Sequence, residues 1–179
     1  MAPRVLLVNA LDTSQIVTSG KTNFQEIRYD GSPLFLRIND ATVCNLEVYD
    51  DPKGSKLYLI VDVTSQNELF APLDAWLLKS RDAVAANAAT HPITRVTDNG
   101  RTTLKLKMPL TSDSLFDGGI FNQDREPTTL QDITSGSRIS IIFHAASLWC
   151  FRNTVGITMN AVQLPVSYTH LRAHETVAN

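Results

Sequence analysis

Clusters of turn-forming residues punctuate this chain at short intervals, each set between runs of aromatic, β-branched and leucine residues. That pattern restricts the fold to hairpin-connected strands. Asp98-Asn99-Gly100 lies between residues 90–96 and 101–108, and Asn-Gly is the strongest short hairpin signal because both residues accept positive φ. Asp30-Gly31-Ser32-Pro33 divides residues 24–39 in the same manner, and Asp50-Asp51-Pro52-Lys53-Gly54 separates 41–49 from 57–65, again with strong turn formers. Within 101–108, Leu104, Leu106 and Met108 alternate with Thr103, Lys105 and Lys107. One face of that strand is therefore core, the other wet and positive. In 57–63 every residue but Asp62 is apolar or aromatic, which predicts a strand buried on both faces. Residues 136–151 form a long strand-like run, and Arg152-Asn153-Thr154 turns it into 155–164. Gly156 in that second arm marks a bulge or a close approach of another group.

Only one stretch has helical character. From 68 to 87 the residues Leu69, Leu73, Trp76, Leu77 and Val84 recur at helical spacing, alanine is frequent and glycine absent, predicting a helix over about 68–88 with Pro72 in its first turn. Residues 111–135 are rich in Asp, Asn, Pro, Gly and Thr; they read as a long loop anchored by Phe116 and Phe121, with room for a short strand. Many short strands, hairpin connections and one inserted helix give a mainly β fold, an OB-fold-like Greek-key barrel. With 179 residues, 43% of them hydrophobic, one core is supported and two domains would be cramped. The expected division is an N-terminal extension over 1–22 and a barrel over 23–165.

Residues 166–176, VSYTHLRAHET, resemble the translation of a transposase adaptor used in preparing sequencing libraries. Residues 166–179 are therefore expected to be an artefact, and His170, Arg172, His174 and Glu175 are kept out of every site. On that reading the native C-terminus, and any acidic tail it carried, is missing from the sequence.

Catalytic chemistry finds no footing. Outside the tail only His91 and His144 remain, far apart, and Cys44 and Cys150 have no ligand at metal spacing. There is no GxSxG elbow or phosphate loop, and Cys150 beside Trp149 reads as a small buried hydrophobe. The pairs Asp50 with Asp51 and Asp113 with Asp117 sit in turn-rich stretches, where Asp serves backbone hydrogen bonds. No enzyme, metal or cofactor is expected. The short apolar run at residues 5–8 is too brief for a secretory signal, and no stretch suits a membrane span. A soluble, intracellular protein of a reducing compartment is expected.

The formal net charge of −2 argues against bulk attraction to duplex DNA, so any nucleic-acid site must be local. Between Lys79 and Lys107, the cations Lys79, Arg81, Arg95, Arg101, Lys105 and Lys107 face only Asp82 and Asp98. Single-strand binders combine such a positive groove with aromatic rings on which bases stack. The candidate phosphate contacts are Lys79, Arg81, Arg101, Lys105, Lys107 and Arg152; the candidate stacking residues are Tyr58, Trp149 and Phe151.

Residues 136–166, GSRISIIFHAASLWCFRNTVGITMNAVQLPV, resemble the C-terminal end of OB-fold single-stranded DNA-binding proteins of giant DNA viruses and podophage-type replication systems. The shared elements are Gly136-Ser137 opening a strand, Leu148-Trp149, Gly156-Ile157 after a turn, and a closing Ala161-Val162-Gln163-Leu164. Ser32-Pro33-Leu34, the central helix and residues 103–109 extend the likeness upstream. The resemblance implies an OB barrel that coats exposed single strands, without strong sequence preference, in viral DNA replication or recombination. It places the protein in the host cytoplasm, a viral replication site or the nucleus. RNA, replication proteins and a second copy of the chain are further partners it admits. A viral structural or assembly β-protein with protein partners only is the competing reading.

Overall fold

A computed structural model describes residues 4–21, 23–52, 54–84, 91–93, 95–113, 115–151 and 154–167. Its strands are β1 (Val5–Leu7), β2 (Ile16–Lys21), β3 (Phe24–Tyr29), β4 (Ser32–Pro33), β5 (Phe35–Asp51), β6 (Gly54–Asp62), β7 (His91–Ile93), β8 (Val96–Asp98), β9 (Arg101–Met108), β10 (Gly119–Phe121), β11 (Arg138–Phe151) and β12 (Thr154–Ser167). The helix, α1 (Ala71–Val84), lies between β6 and β7 in the chain.

The long β5 organises the barrel by pairing with two partners. Residues from Phe35 to Thr42 run antiparallel to β11, and those from Thr42 to Asp51 run antiparallel to β6. Asp40, two residues before that change of partner and at the register shift between β5 and β11, has φ 56°, a left-handed conformation that Asp tolerates better than most residues. β6 then pairs with β9, β9 meets β12 in parallel at Lys107 and Asn160, and β12 pairs with β11. The circle β5-β6-β9-β12-β11 is thereby closed, in the strand order of an OB-type Greek-key barrel. The mainly β architecture with one inserted helix is the one expected from the turn pattern.

Local chemistry explains the elements. Asn99 and Gly100 adopt φ of 49° and 76° between β8 and β9, and Asp30 and Gly31 adopt 47° and 73° after β3, as primed hairpin turns require. The second of these hairpins is shorter than the sequence suggests. Pro33 has no N–H for the ladder, and after Leu34, whose carbonyl accepts from Ala145 N at 3.0 Å, the chain moves to β11.

Three expectations need adjustment. The helix starts at Ala71 after a 3-10 segment, Thr64–Phe70; Leu69 therefore lies outside α1 and is 38% exposed, while Leu73 and Leu77 are fully buried. Residues 85–90 lie outside the described residues. The run 57–63 is not buried on both faces: Leu59, Val61 and Val63 enter the core, whereas Tyr58 and Ile60 are half-buried on the barrel's outer surface. Residues 5–21 are more than an appendage, since β1 and β2 join the sheet and Leu6, Val8 and Leu11 are buried in the core. At the other end β12 continues through Val166 and Ser167, opposite Ile139 and Arg138. The rest of the adaptor-like stretch, from 168 on, lies outside the described residues.

Candidate functional site

Alternation along β9 turns Leu104, Leu106 and Met108 into the core, which forces Lys105 and Lys107 outward. They project into an open groove of about 560 Å³ on the barrel's outer face, with Tyr49 and Tyr58 on one wall and Trp149, Ile157, Thr158 and Met159 on the other. Register places Tyr58 opposite both Glu47 and Lys107, so β5, β6 and β9 contribute to one continuous surface.

Lys105 is the hub. Its ammonium lies 4.3 Å from the centre of the Tyr49 ring and 4.6 Å from that of Tyr58, within cation–π range of both. The rings meet edge to face at 5.5 Å and 84°. The same ammonium donates to Glu47 Oε2 at 2.9 Å and to the Tyr49 hydroxyl at 3.0 Å, and Tyr49 donates to Glu47 Oε2 at 2.6 Å. Donation from Tyr49, then from Lys105, holds the Glu47 carboxyl below the usual carboxylate range. Burial pulls the Lys105 ammonium down, but its hydrogen bonds to Tyr49 and Glu47 outweigh that and raise it. Both groups are therefore charged at neutral pH. Lys107, one alternation further on, is exposed and has no ion-pair partner among the described residues.

The opposite wall depends on a missing side chain. Trp149 and Gly156 are direct partners across β11 and β12, and the indole lies so close over Gly156 that a Cβ there would overlap the ring. The close approach expected at Gly156 is thus made by the Trp149 ring. Trp149 itself is half-buried, and its partner on β3 is Phe24, which is 58% exposed.

Not every expected contact converges here. Arg101 shares the outer face of β9 but is committed to Asp62 at 2.7 Å and to Cys44 Sγ at 3.3 Å, beyond the groove lining. Lys79 lines a separate cleft of about 480 Å³ with Trp76, Thr13, Ser14 and Thr18, so it is not part of the groove. Phe151 is 66% exposed at the end of β11 and does not line the groove. Arg152 and the side chain of Arg81 lie outside the described residues. Arg95 does reach the groove, but its guanidinium is paired with Asp74 at 2.6 Å, bonded to Asn67 at 2.8 Å and set 4.3 Å over Phe70. It ties the segment before β8 to the start of α1, and the six-cation count overstates the charge free to meet a ligand.

Sequence reasoning missed Glu47, Tyr49 and Phe24. Glu47 and Tyr49 alternate with Leu46 and Val48 in an expected strand, but which face they occupy follows only from the β5–β6 register. Among the described residues no group of three or more His, Cys, Asp or Glu is placed to hold a metal.

No protein-family model and no curated protein matches the sequence. Solved structures do match in shape. A single-stranded DNA-binding protein from bacteriophage Enc34 in complex with ssDNA superposes with a TM-score of 0.53 at 12% identity, covering 85% of this chain and 94% of that one. A C-terminal truncation of that phage protein gives 0.53 at 12% over 88% and 97%. A further structure of the Enc34 single-stranded DNA-binding protein gives 0.53 at 13% over 92% and 96%. At such identity the likeness is one of fold, and the chain has the OB-type five-stranded barrel that these phage proteins share.

Proposed function

We propose that this protein binds single-stranded DNA in the groove over β6, β9 and β12, as a non-catalytic binding protein without strong sequence preference. The observation that carries this reading is the placement of Lys105 and Lys107 between Tyr58 and Trp149 in one open groove. Phosphates need the ammonium groups and unstacked bases need the ring faces, a pairing that suits a flexible strand better than a duplex. The structural neighbours are described as single-stranded DNA-binding proteins of a phage, one of them in complex with ssDNA, which supports the reading at the level of fold. Lys105 and Lys107 meet phosphates, and Trp149 and Tyr58 take bases. Arg101, at the end of β9, becomes a phosphate contact only if it exchanges Asp62 for the strand. A role in viral DNA replication or recombination, inside the cell, follows from the sequence resemblance. RNA, replication proteins or a second copy of the chain would enter as additional partners of the same barrel.

Electrophoretic mobility of labelled oligothymidylate and of a duplex of equal length tests the proposal. The expected result is a shift of the single strand at lower protein concentration than the duplex, lost in Lys105→Gln/Lys107→Gln. A stable oligomer that shifts neither probe would favour the assembly-protein reading instead.

A further inference from the structure

We propose that Glu47 is a built-in competitor for the strand, occupying through Lys105 the place that a phosphate would take. This rests on the reading of the groove as a single-strand site and names what sets its affinity. Without ligand, the Lys105 ammonium is held by three residues through four contacts: the Glu47 carboxylate at 2.9 Å, the Tyr49 hydroxyl at 3.0 Å, and the rings of Tyr49 and Tyr58 at 4.3 and 4.6 Å from their centres. A phosphate reaching Lys105 must break the contact with Glu47 and leave that carboxylate facing an anion. A base stacking on the side of Tyr58 that Lys105 approaches must displace the ammonium. Glu47 is itself fixed by the Tyr49 hydroxyl at 2.6 Å, so it does not simply swing away. Its side chain is 32% exposed, against 45% for Lys105, and it lines the same groove. The carboxylate therefore repels the backbone of any strand lying there.

Counterion release supplies a signature. Each lysine that meets a phosphate adds about 0.7 to the steepness of log affinity against log salt for a single strand. In the wild type, freeing Lys105 exposes Glu47, which gathers a cation and cancels much of that gain. With glutamine at position 47 the cancellation disappears.

The test titrates wild type, Glu47→Gln, Lys105→Gln and the double variant with fluorescently labelled oligothymidylate over a salt series. Glu47→Gln is expected to bind about three- to fivefold tighter at low salt, in the range of a partly exposed ion pair, with a slope steeper by up to about 0.7. In the Lys105→Gln background the gain from Glu47→Gln should fall to less than about half, because the two residues act as a coupled pair. Unchanged or weaker binding by Glu47→Gln, with the wild type binding normally, overturns the proposal; weaker binding would make the carboxylate an acceptor for base donors. An undiminished gain without Lys105 also overturns it, since the effect would then be charge removal alone. If neither wild type nor Glu47→Gln binds the probe, the single-strand reading has failed and the competitor role falls with it.

Discussion

Gly156 contributes no side chain, and the indole of Trp149 occupies the space a side chain would fill. Gly156→Val should therefore lift Trp149 out of its place on β12 while leaving the barrel strands paired. Oligothymidylate binding is expected to weaken by about 1–3 kcal/mol, the cost of one lost stack, measured by anisotropy alongside circular dichroism. Wild-type affinity would show that the ring's position does not matter. The lysines separate by location in the same way. Lys107→Gln should flatten the salt dependence by about 0.7, whereas Lys79→Gln, in the cleft beside Trp76, should leave affinity and slope unchanged. Equal effects of the two substitutions would place the strand elsewhere on the surface.

At the level of elements, β9 and β11 carry both core and surface. Leu106 on β9 is fully buried between outward Lys105 and Lys107, so Leu106→Ala should cost about 2–5 kcal/mol in urea unfolding through the cavity it leaves. On β11, His144 stacks on Phe35 of β5 at 5.0 Å and 29°. Burial pushes its pKa down, with Glu26 pulling more weakly upward. The folded state thus binds a proton less readily than the unfolded chain. Stability should be full above the unfolded histidine value of about 6.5 and decline as the pH falls below it. The loss in urea midpoint between about pH 7.5 and 5.5 should be smaller in His144→Gln; an equal loss would assign the acid sensitivity to other groups. These elements were largely legible in the sequence. Asn99-Gly100 and the Leu104/Leu106/Met108 alternation specify β9 locally, and Trp76 with Leu73 and Leu77 marks the helix. The change of partner at Thr42 was not legible, because a 17-residue strand that leaves one neighbour for another carries no local signal. The outer face of β6 is hidden for a different reason: Tyr58 and Ile60 are apolar in composition, yet they line the groove and are not core.

Across the whole molecule, an acidic balance of charge coexists with a small cationic groove. Neutralisation of Arg95 by Asp74 and of Arg101 by Asp62 is what the linear count of cations could not reveal, because both carboxylates come from distant parts of the chain. Residue type and alternation single out Lys105, Lys107, Tyr58 and Trp149 in the sequence, and all four line the groove; Glu47 lines it too, but only the β5–β6 register brings it there. Of the two tryptophans, Trp76 is only 7% exposed and lines the other cleft, whereas Trp149 lines the groove, so the fluorescence change absent from Trp149→Phe is the part that reports on the proposed site. The most direct measurement is the titration of that fluorescence with oligothymidylate across a salt series. Saturable quenching is expected, with log affinity falling linearly in log salt at about 0.7 per phosphate contacted. Absence of quenching, or an affinity indifferent to salt, would contradict a groove in which lysines and rings together hold a single strand.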